Sequence, residues 1–173
     1  MNNVIIRYAT VADAEAIWNI YRYYVEHTAI SFEITMPTVK EMRGRIQRTL
    51  KAFPYLVAEV NGTVIGYAYA GAFIPREAYA HCAEVSIYIS RENCHSGLGR
   101  LLYEELLARL AQQGISNVYA CIGVPESEDE YLTNNSACFH GHMGFTEVGR
   151  FRNSGLKFGR FYHMIWMERI LSD

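Results

Sequence analysis

The stretch VSIYISRENCHSGLGRLLYEELL, residues 85–107, opens as a strand, breaks into a polar turn with two glycines and closes as a leucine-striped helix. Leu98, Leu101, Leu102, Leu106 and Leu110 recur at helical spacing and are expected to face inward, with Gly114 as the stop. Glycine costs stability in a helix, so Gly97 and Gly99 at its mouth suggest that something approaches the backbone there. The first amides of a helix lack internal partners, and that end carries a partial positive charge. Phosphate oxygens satisfy both, with Ser96 supplying a hydroxyl at the cap and Arg100 a charge-assisted contact. The plainer alternative is a turn that needs glycine for positive φ, followed by ordinary helix packing. No Lys-Ser/Thr follows the second glycine and no third glycine completes GxGxxG, which excludes the Walker A and dinucleotide turns.

The rest of the chain narrows the setting. Its 173 residues, half hydrophobic and a fifth charged, fit one globular domain spanning 1–173. A net charge of −2 without a Lys/Arg run gives no footprint for nucleic acid. No apolar stretch is long enough for a membrane span, and the first ten residues lack the apolar region of a signal peptide, so a cytoplasmic protein is expected. Cys82, Cys94, Cys121 and Cys138 are scattered without CxxC spacing and read as reduced thiols. Cys94-His95 and Cys138 with His142 lack the four-ligand pattern of a zinc site, so no metal is expected.

Punctuation orders the elements. NVIIRYA (3–9) is a strand, and Thr10 caps a helix striped by Ala16, Ile17, Ile20, Tyr21 and Tyr24. TAISFEITMP (28–37) is a loop, and Thr38 caps a second helix with Met42, Ile46 and Leu50 spaced by four. YLVAEVNGTVIGYAYAGAF (55–73) is a hairpin around Asn61-Gly62, a pair that tolerates positive φ at both central positions. Strands at 83–90 and 116–123 flank the glycine turn and its helix, and ESEDEYL (126–132) reads as a solvated acidic loop. A short helix ends at Gly144, and strands 145–155 and 161–170 complete the chain. The order β-α-α-β-β-β-α-β-α-β-β predicts one α/β domain with a mixed sheet of about seven strands and four helices.

A GxG turn between strand and helix, preceded by a hairpin and two helices, resembles the GCN5-related N-acetyltransferases. Their signature, Gln/Arg-x-x-Gly-x-Gly/Ala, grips the pyrophosphate of acetyl-coenzyme A. Here it reads Cys94-His95-Ser96-Gly97-Leu98-Gly99, with cysteine where Gln or Arg is usual. Four further stretches resemble the phosphinothricin and methionine sulfone/sulfoximine acetyltransferase branch: TAISFE (28–33), REAYAHCAEVSIYI (76–89), NNSACFHGHMGF (134–145) and GLKFGRFYHMIWMER (155–169). His163 departs from the Asp of many relatives. The resemblance implies acetyl transfer from acetyl-coenzyme A to the amine of a small amino-acid-like substrate, without a metal, in a homodimer.

Such a transfer needs a deprotonated amine, a polarised carbonyl and a protonated thiolate. Glu84 is the expected general base if burial raises its pKa, the alternative being an exposed strand-end carboxylate. His140, one helical turn after Ser136, is the second proton carrier, against an ordinary structural histidine. The resemblance assigns the thioester carbonyl and the pantetheine arm to the main chain of Ile87, Tyr88 and Ile89. Asn134 would bond that arm or act as an N-cap, with Ser136 beside it. Phe32, Glu33, Arg76 and Tyr79 are expected in the acceptor pocket, Arg76 pairing with a carboxylate. A protein-amine acetyltransferase of the same fold and a non-catalytic coenzyme A-binding module are the other readings.

Overall fold

Two hairpin turns register the sheet. Asn61 and Gly62 take φ of 51° and 79°, and Phe158 and Gly159 take 51° and 73°, the paired positive values that match the twist of antiparallel strands. The computed structural model describes residues 4–94 and 96–171. In chain order the elements are β1 (Val4–Tyr8), α1 (Ala14–His27), α2 (Val39–Thr49), β2 (Tyr55–Val60), β3 (Thr63–Ala72), β4 (Cys82–Ile89), α3 (Leu98–Gln112), β5 (Asn117–Val124), α4 (Asn135–His142), β6 (Thr146–Lys157) and β7 (Arg160–Ile170). The seven strands lie in the order β1-β2-β3-β4-β5-β7-β6, the mixed sheet and helix count expected from the sequence.

Alternation along each strand sorts two cores. Ala83 and Val85 of β4 face α3 with Leu56, Ala68, Val118 and Ala120. On the opposite face α1 and α2 cover Tyr55, Val57 and Tyr67, with Tyr69 and Tyr88 packed against them. The rings of Tyr55, Tyr67 and Tyr69 lie nearly parallel, with centroids 5.0–6.3 Å apart. Five of the six strand pairings are antiparallel. β4 and β5, joined through α3, are parallel.

Four expectations change. Leu101 is 51% exposed, because the α3 seam centres on Leu102 and Leu106, with Tyr103 and Leu107 filling its flank. Leu50 lies just past α2 and is exposed, and Ala14 rather than Ala16 is buried in α1. The acidic loop is not merely solvated. Asp129 accepts hydrogen bonds from the amides of Tyr131 and Leu132 and from the Tyr162 hydroxyl, and it pairs with Arg160 at 3.0 Å. Arg160 and these hydrogen bonds hold its carboxyl below the usual range against the desolvation that opposes them.

Candidate active site

The parallel pair is short. β4 and β5 pair only from Cys82↔Asn117 to Glu84↔Tyr119, although each strand runs on for four or more residues. Past that point the strands separate, and a cleft opens between residues 85–88 of β4 and 120–123 of β5, with Ile30, Ser136 and His140 at its rim. On its other side β4 is paired with β3 throughout, and the Ser90 amide donates to the Ile65 carbonyl at 2.9 Å. In an antiparallel ladder the bonded pairs alternate, so Tyr88 spends its main chain on Tyr67 while Ile87 and Ile89 turn theirs toward the split. The Ile89 carbonyl accepts from the Tyr24 hydroxyl at 2.5 Å. Of the three main-chain positions expected to grip a thioester and its arm, Ile87 is therefore the one with both groups facing the split and no strand partner.

The mouth of α3 lies beyond the end of β4. Gly97 is the N-cap with φ of +80°, and a side chain built on it would meet no atom within 4 Å. It is glycine for its backbone, and it leaves the approach to the helix open. A Cβ on Gly99 would instead meet the Phe139 ring at 3.4 Å, an ordinary contact, so the packing of α4 on α3 does not itself require glycine. Of the two glycines that looked alike in sequence, Gly97 is the one whose backbone demands it. The Ser96 hydroxyl donates to the Asn93 carbonyl at 2.7 Å and stands 3.4 Å from the Leu98 amide. Arg100 is exposed and pairs with Glu104 at 2.8 Å. The Cys94 sulfur turns back toward the Ser90 and Ile89 carbonyls, 3.5 and 4.0 Å away. His95 lies outside the described residues. A first helical turn with outward amides and an unobstructed N-cap, next to a strand split, suits a diphosphate with a long flexible arm.

Glu84 sits on the α1/α2 face of β4, at the last residue pair before the split. Its carboxyl is raised above the ordinary value by desolvation. Ser86 follows two residues on, and Tyr69, its partner on β3, has its own pKa raised first by burial and further by the Glu84 charge. Across the split stands Cys121, whose thiol is pushed up to about 11 by burial and by Glu84. A carboxyl of raised pKa, two hydroxyls and a protonated thiol thus share one region. Ser86, Tyr69 and Cys121 were not singled out in the sequence. The two-residue step from Glu84 to Ser86 was readable there, but the cross-strand partners were not.

His140 is buried on α4, and both of its ring nitrogens are engaged. Nδ1 lies 2.7 Å from the Ser136 carbonyl, which can only accept, so this nitrogen carries the hydrogen. Desolvation lowers its pKa and keeps the ring neutral, so Nε2 accepts from the Tyr103 hydroxyl at 3.0 Å. The rings of Tyr103, Phe139 and Phe145 enclose it. Both His140 nitrogens are thus engaged within the protein, although the residue lines the cleft, so proton relay by this ring requires that one of these bonds open. Asn134 takes the N-cap position without a capping side-chain bond, and its backbone and side-chain amides both donate to Glu128, at 2.8 and 3.3 Å.

The substrate-loop residues divide. The Phe32 ring is seated on Gly155 of β6 and Gly123 of β5, where a Cβ would come within 2.6 and 3.1 Å of it. Buried Lys157 donates to the Ser31 carbonyl at 2.6 Å and ties the same loop to β6. Glu33 binds Arg45 of α2 through one oxygen at 2.6 Å, and its other oxygen is buried without a partner. Arg76 and Tyr79 are exposed on the β3–β4 loop, where Tyr79 packs edge-on to Phe73, and neither lines the cleft. They stand apart because the Phe73 ring stacks on Tyr119 at 4.1 Å and holds that loop over the middle of β5. Among the described residues no group of three metal-ligating side chains is gathered, and no helix is long and apolar enough to cross a membrane.

Comparison with known proteins places this geometry. Residues 6–166 match the acetyltransferase (GNAT) domain family. The phosphinothricin N-acetyltransferase of Streptomyces viridochromogenes is 35% identical over 164 residues, covering 95% of this chain and 86% of that one. The L-methionine sulfoximine/L-methionine sulfone acetyltransferase of Salmonella typhimurium is 32% identical, with 97% of this chain and 95% of the relative covered. A crystal structure of a phosphinothricin acetyltransferase from Sinorhizobium meliloti in complex with AcCoA superposes with a TM-score of 0.89 at 34% identity, over 98% of this chain and 89% of that one. On its strand split, its glycine-capped helix and these relatives, the chain belongs to the GNAT family of acetyltransferases.

Proposed function

We propose that the protein moves the acetyl group of acetyl-coenzyme A to the primary amine of a small amino-acid-like acceptor, by direct attack with both substrates bound. The observation that carries this reading is the end of β4–β5 pairing at Glu84↔Tyr119, which leaves the Ile87 main chain facing the split, three residues along the strand from a carboxyl of raised pKa. When bound, acetyl-coenzyme A supplies an activated thioester. The α3 amides beyond Gly97 would hold its diphosphate, and the Ile87 amide would donate to the thioester oxygen as negative charge develops there.

Glu84 takes the proton from the acceptor's ammonium, directly or through one water, and desolvation, which raises its pKa, makes the carboxylate a stronger base than an exposed one. The free amine then forms the C–N bond as the C–S bond breaks, the electron pair leaves with sulfur, and the proton that the new amide nitrogen sheds passes to the departing thiolate to give the free thiol. Cys121 is a poor candidate for an acetyl-carrying nucleophile, because a thiol at about 11 is almost fully protonated at neutral pH. Ile30, at the rim of the cleft, flanks the acceptor. Arg76 and Tyr79 remain candidates for the acceptor carboxylate if the β3–β4 loop folds over it. The exposed side chains of Phe151, Leu156 and Phe161 on β6 and β7 support a homodimer through that hairpin. The free cysteines fit the reducing cytoplasm.

The test is thiol release from acetyl-coenzyme A across amino acids, methionine sulfone, phosphinothricin, polyamines and short peptides. Turnover confined to small α-amino acids supports the reading. Release only with peptides, or with no amine at all, overturns it.

A further inference from the structure

The Ile89 carbonyl lies past the last β4–β5 pair and faces the split, so it has no strand partner on that side. Its donor comes from α1 instead, the Tyr24 hydroxyl at 2.5 Å. Tyr24 also holds the loop that follows α1. Its carbonyl accepts from the Thr28 hydroxyl at 2.7 Å, and Thr28 Oγ1 accepts in turn from the Ile30 amide at 3.2 Å. Ile30 stands at the rim of the cleft. Tyr21, three residues earlier on the same face of α1, repeats the pattern. Its ring packs edge-on against Tyr88 of the cleft at 5.0 Å, as the Tyr24 ring does at 5.1 Å. Its hydroxyl lies 2.7 Å from Ser31 Oγ, which accepts from the Glu33 amide at 3.2 Å.

The end of α1 therefore has two attachments, one to the open end of β4 and one to residues 28–33. Tyr21, Tyr24, Thr28 and Ser31 are all buried. A buried polar group that loses its partner carries its full desolvation cost, so these bonds are not readily exchanged for water. Displacing the end of β4 strains Tyr24, and the helical backbone hands that strain to Thr28 and Ile30. Resting on the proposed acetyl transfer, we propose that Tyr21 and Tyr24 are positioning residues that couple the two halves of the site. Coenzyme A seated in the split restrains Tyr88 and Ile89, and α1 transmits the restraint to the loop that carries Ile30 on the acceptor side. Linkage makes the effect reciprocal, so an acceptor that settles the loop tightens the hold on coenzyme A by the same factor.

The test is amide hydrogen exchange with and without saturating coenzyme A. The Ala29 amide donates to the Tyr131 carbonyl at 2.9 Å, and with the Ile30 and Glu33 amides it reports the state of the loop. In the wild type, coenzyme A is expected to slow exchange of these three amides about tenfold. Tyr21→Phe/Tyr24→Phe keeps both rings, and Thr28→Val cuts the link on the loop side without touching β4. Each should bring the ratio of bound to free rates close to one. Tyr23→Phe makes the same chemical change on α1, at a ring that lies against Arg91, and should keep the wild-type ratio. No slowing in the wild type, or full slowing in Thr28→Val, overturns the proposal, since coenzyme A then acts on the loop directly or not at all. Coenzyme A alone turns nothing over, so this result stands apart from thiol release, which tests the acetyl-transfer reading.

Discussion

The Tyr103 hydroxyl donates to Nε2 of His140 at 3.0 Å, across 37 residues of sequence and between two helices that share no ladder. With Nδ1 held by the Ser136 carbonyl, the imidazole is locked as a neutral crossbar between α3 and α4. Burial lowers its pKa in the folded state below the ordinary 6.5. The unfolded chain then binds the extra proton first as pH falls, so His140 destabilises the fold progressively below about pH 6.5. Thermal unfolding of His140→Gln, followed between pH 5 and 8, should have a shallower acid limb than the wild type. Tyr103→Phe leaves a buried nitrogen unpaired and should cost about 1–3 kcal/mol. A pH-rate profile that keeps its shape in Tyr103→Phe will confirm that the ring positions α4 and carries no proton.

Glu84 has the opposite sign. Desolvation raises its folded pKa above 4.5, so the folded state holds the proton longer and stability falls as pH rises from there through the folded value. Glu84→Gln removes that liability and should raise the melting temperature at pH 7. Its kcat should drop about 10²–10⁴-fold, with acetyl-coenzyme A binding intact by calorimetry. A gain in stability with loss of turnover identifies a residue kept for function.

Gly97 and Gly99 should separate under substitution. Gly97→Ala forces a side chain into φ of +80° and should cost about 1–2 kcal/mol, weakening acetyl-coenzyme A binding as well. Gly99→Ala gains helix propensity and meets Phe139 at 3.4 Å, an ordinary contact, so its melting temperature should stay above that of Gly97→Ala. Paired thermal melts and cofactor titrations read both effects.

Gly155→Ala tests the seat of Phe32. A Cβ there would lie 2.6 Å from the ring, so Phe32 must leave its slot, at about 1–3 kcal/mol. Because Glu33 is the next residue, the KM for the acceptor should rise while the KM for acetyl-coenzyme A holds. Steady-state kinetics with each substrate varied in turn checks the split.

What the sequence determined is local. Asn61-Gly62 encodes its hairpin because few residues accept two successive positive φ values, and the leucine period of α3 announces a helix with one buried side. Conformation there depends on residues a few positions apart. Tertiary structure decided the rest. The split after Glu84 and Tyr119 depends on two strands diverging at a particular pair. Leu101 was misread because periodicity defines a stripe but not where its centre meets the sheet. The engagement of both His140 nitrogens and the seating of Phe32 on Gly123 and Gly155 depend on partners supplied from other elements. Spacing marks which residues can do chemistry, but burial and partners fix their protonation, and these exist only once the chain has closed on itself.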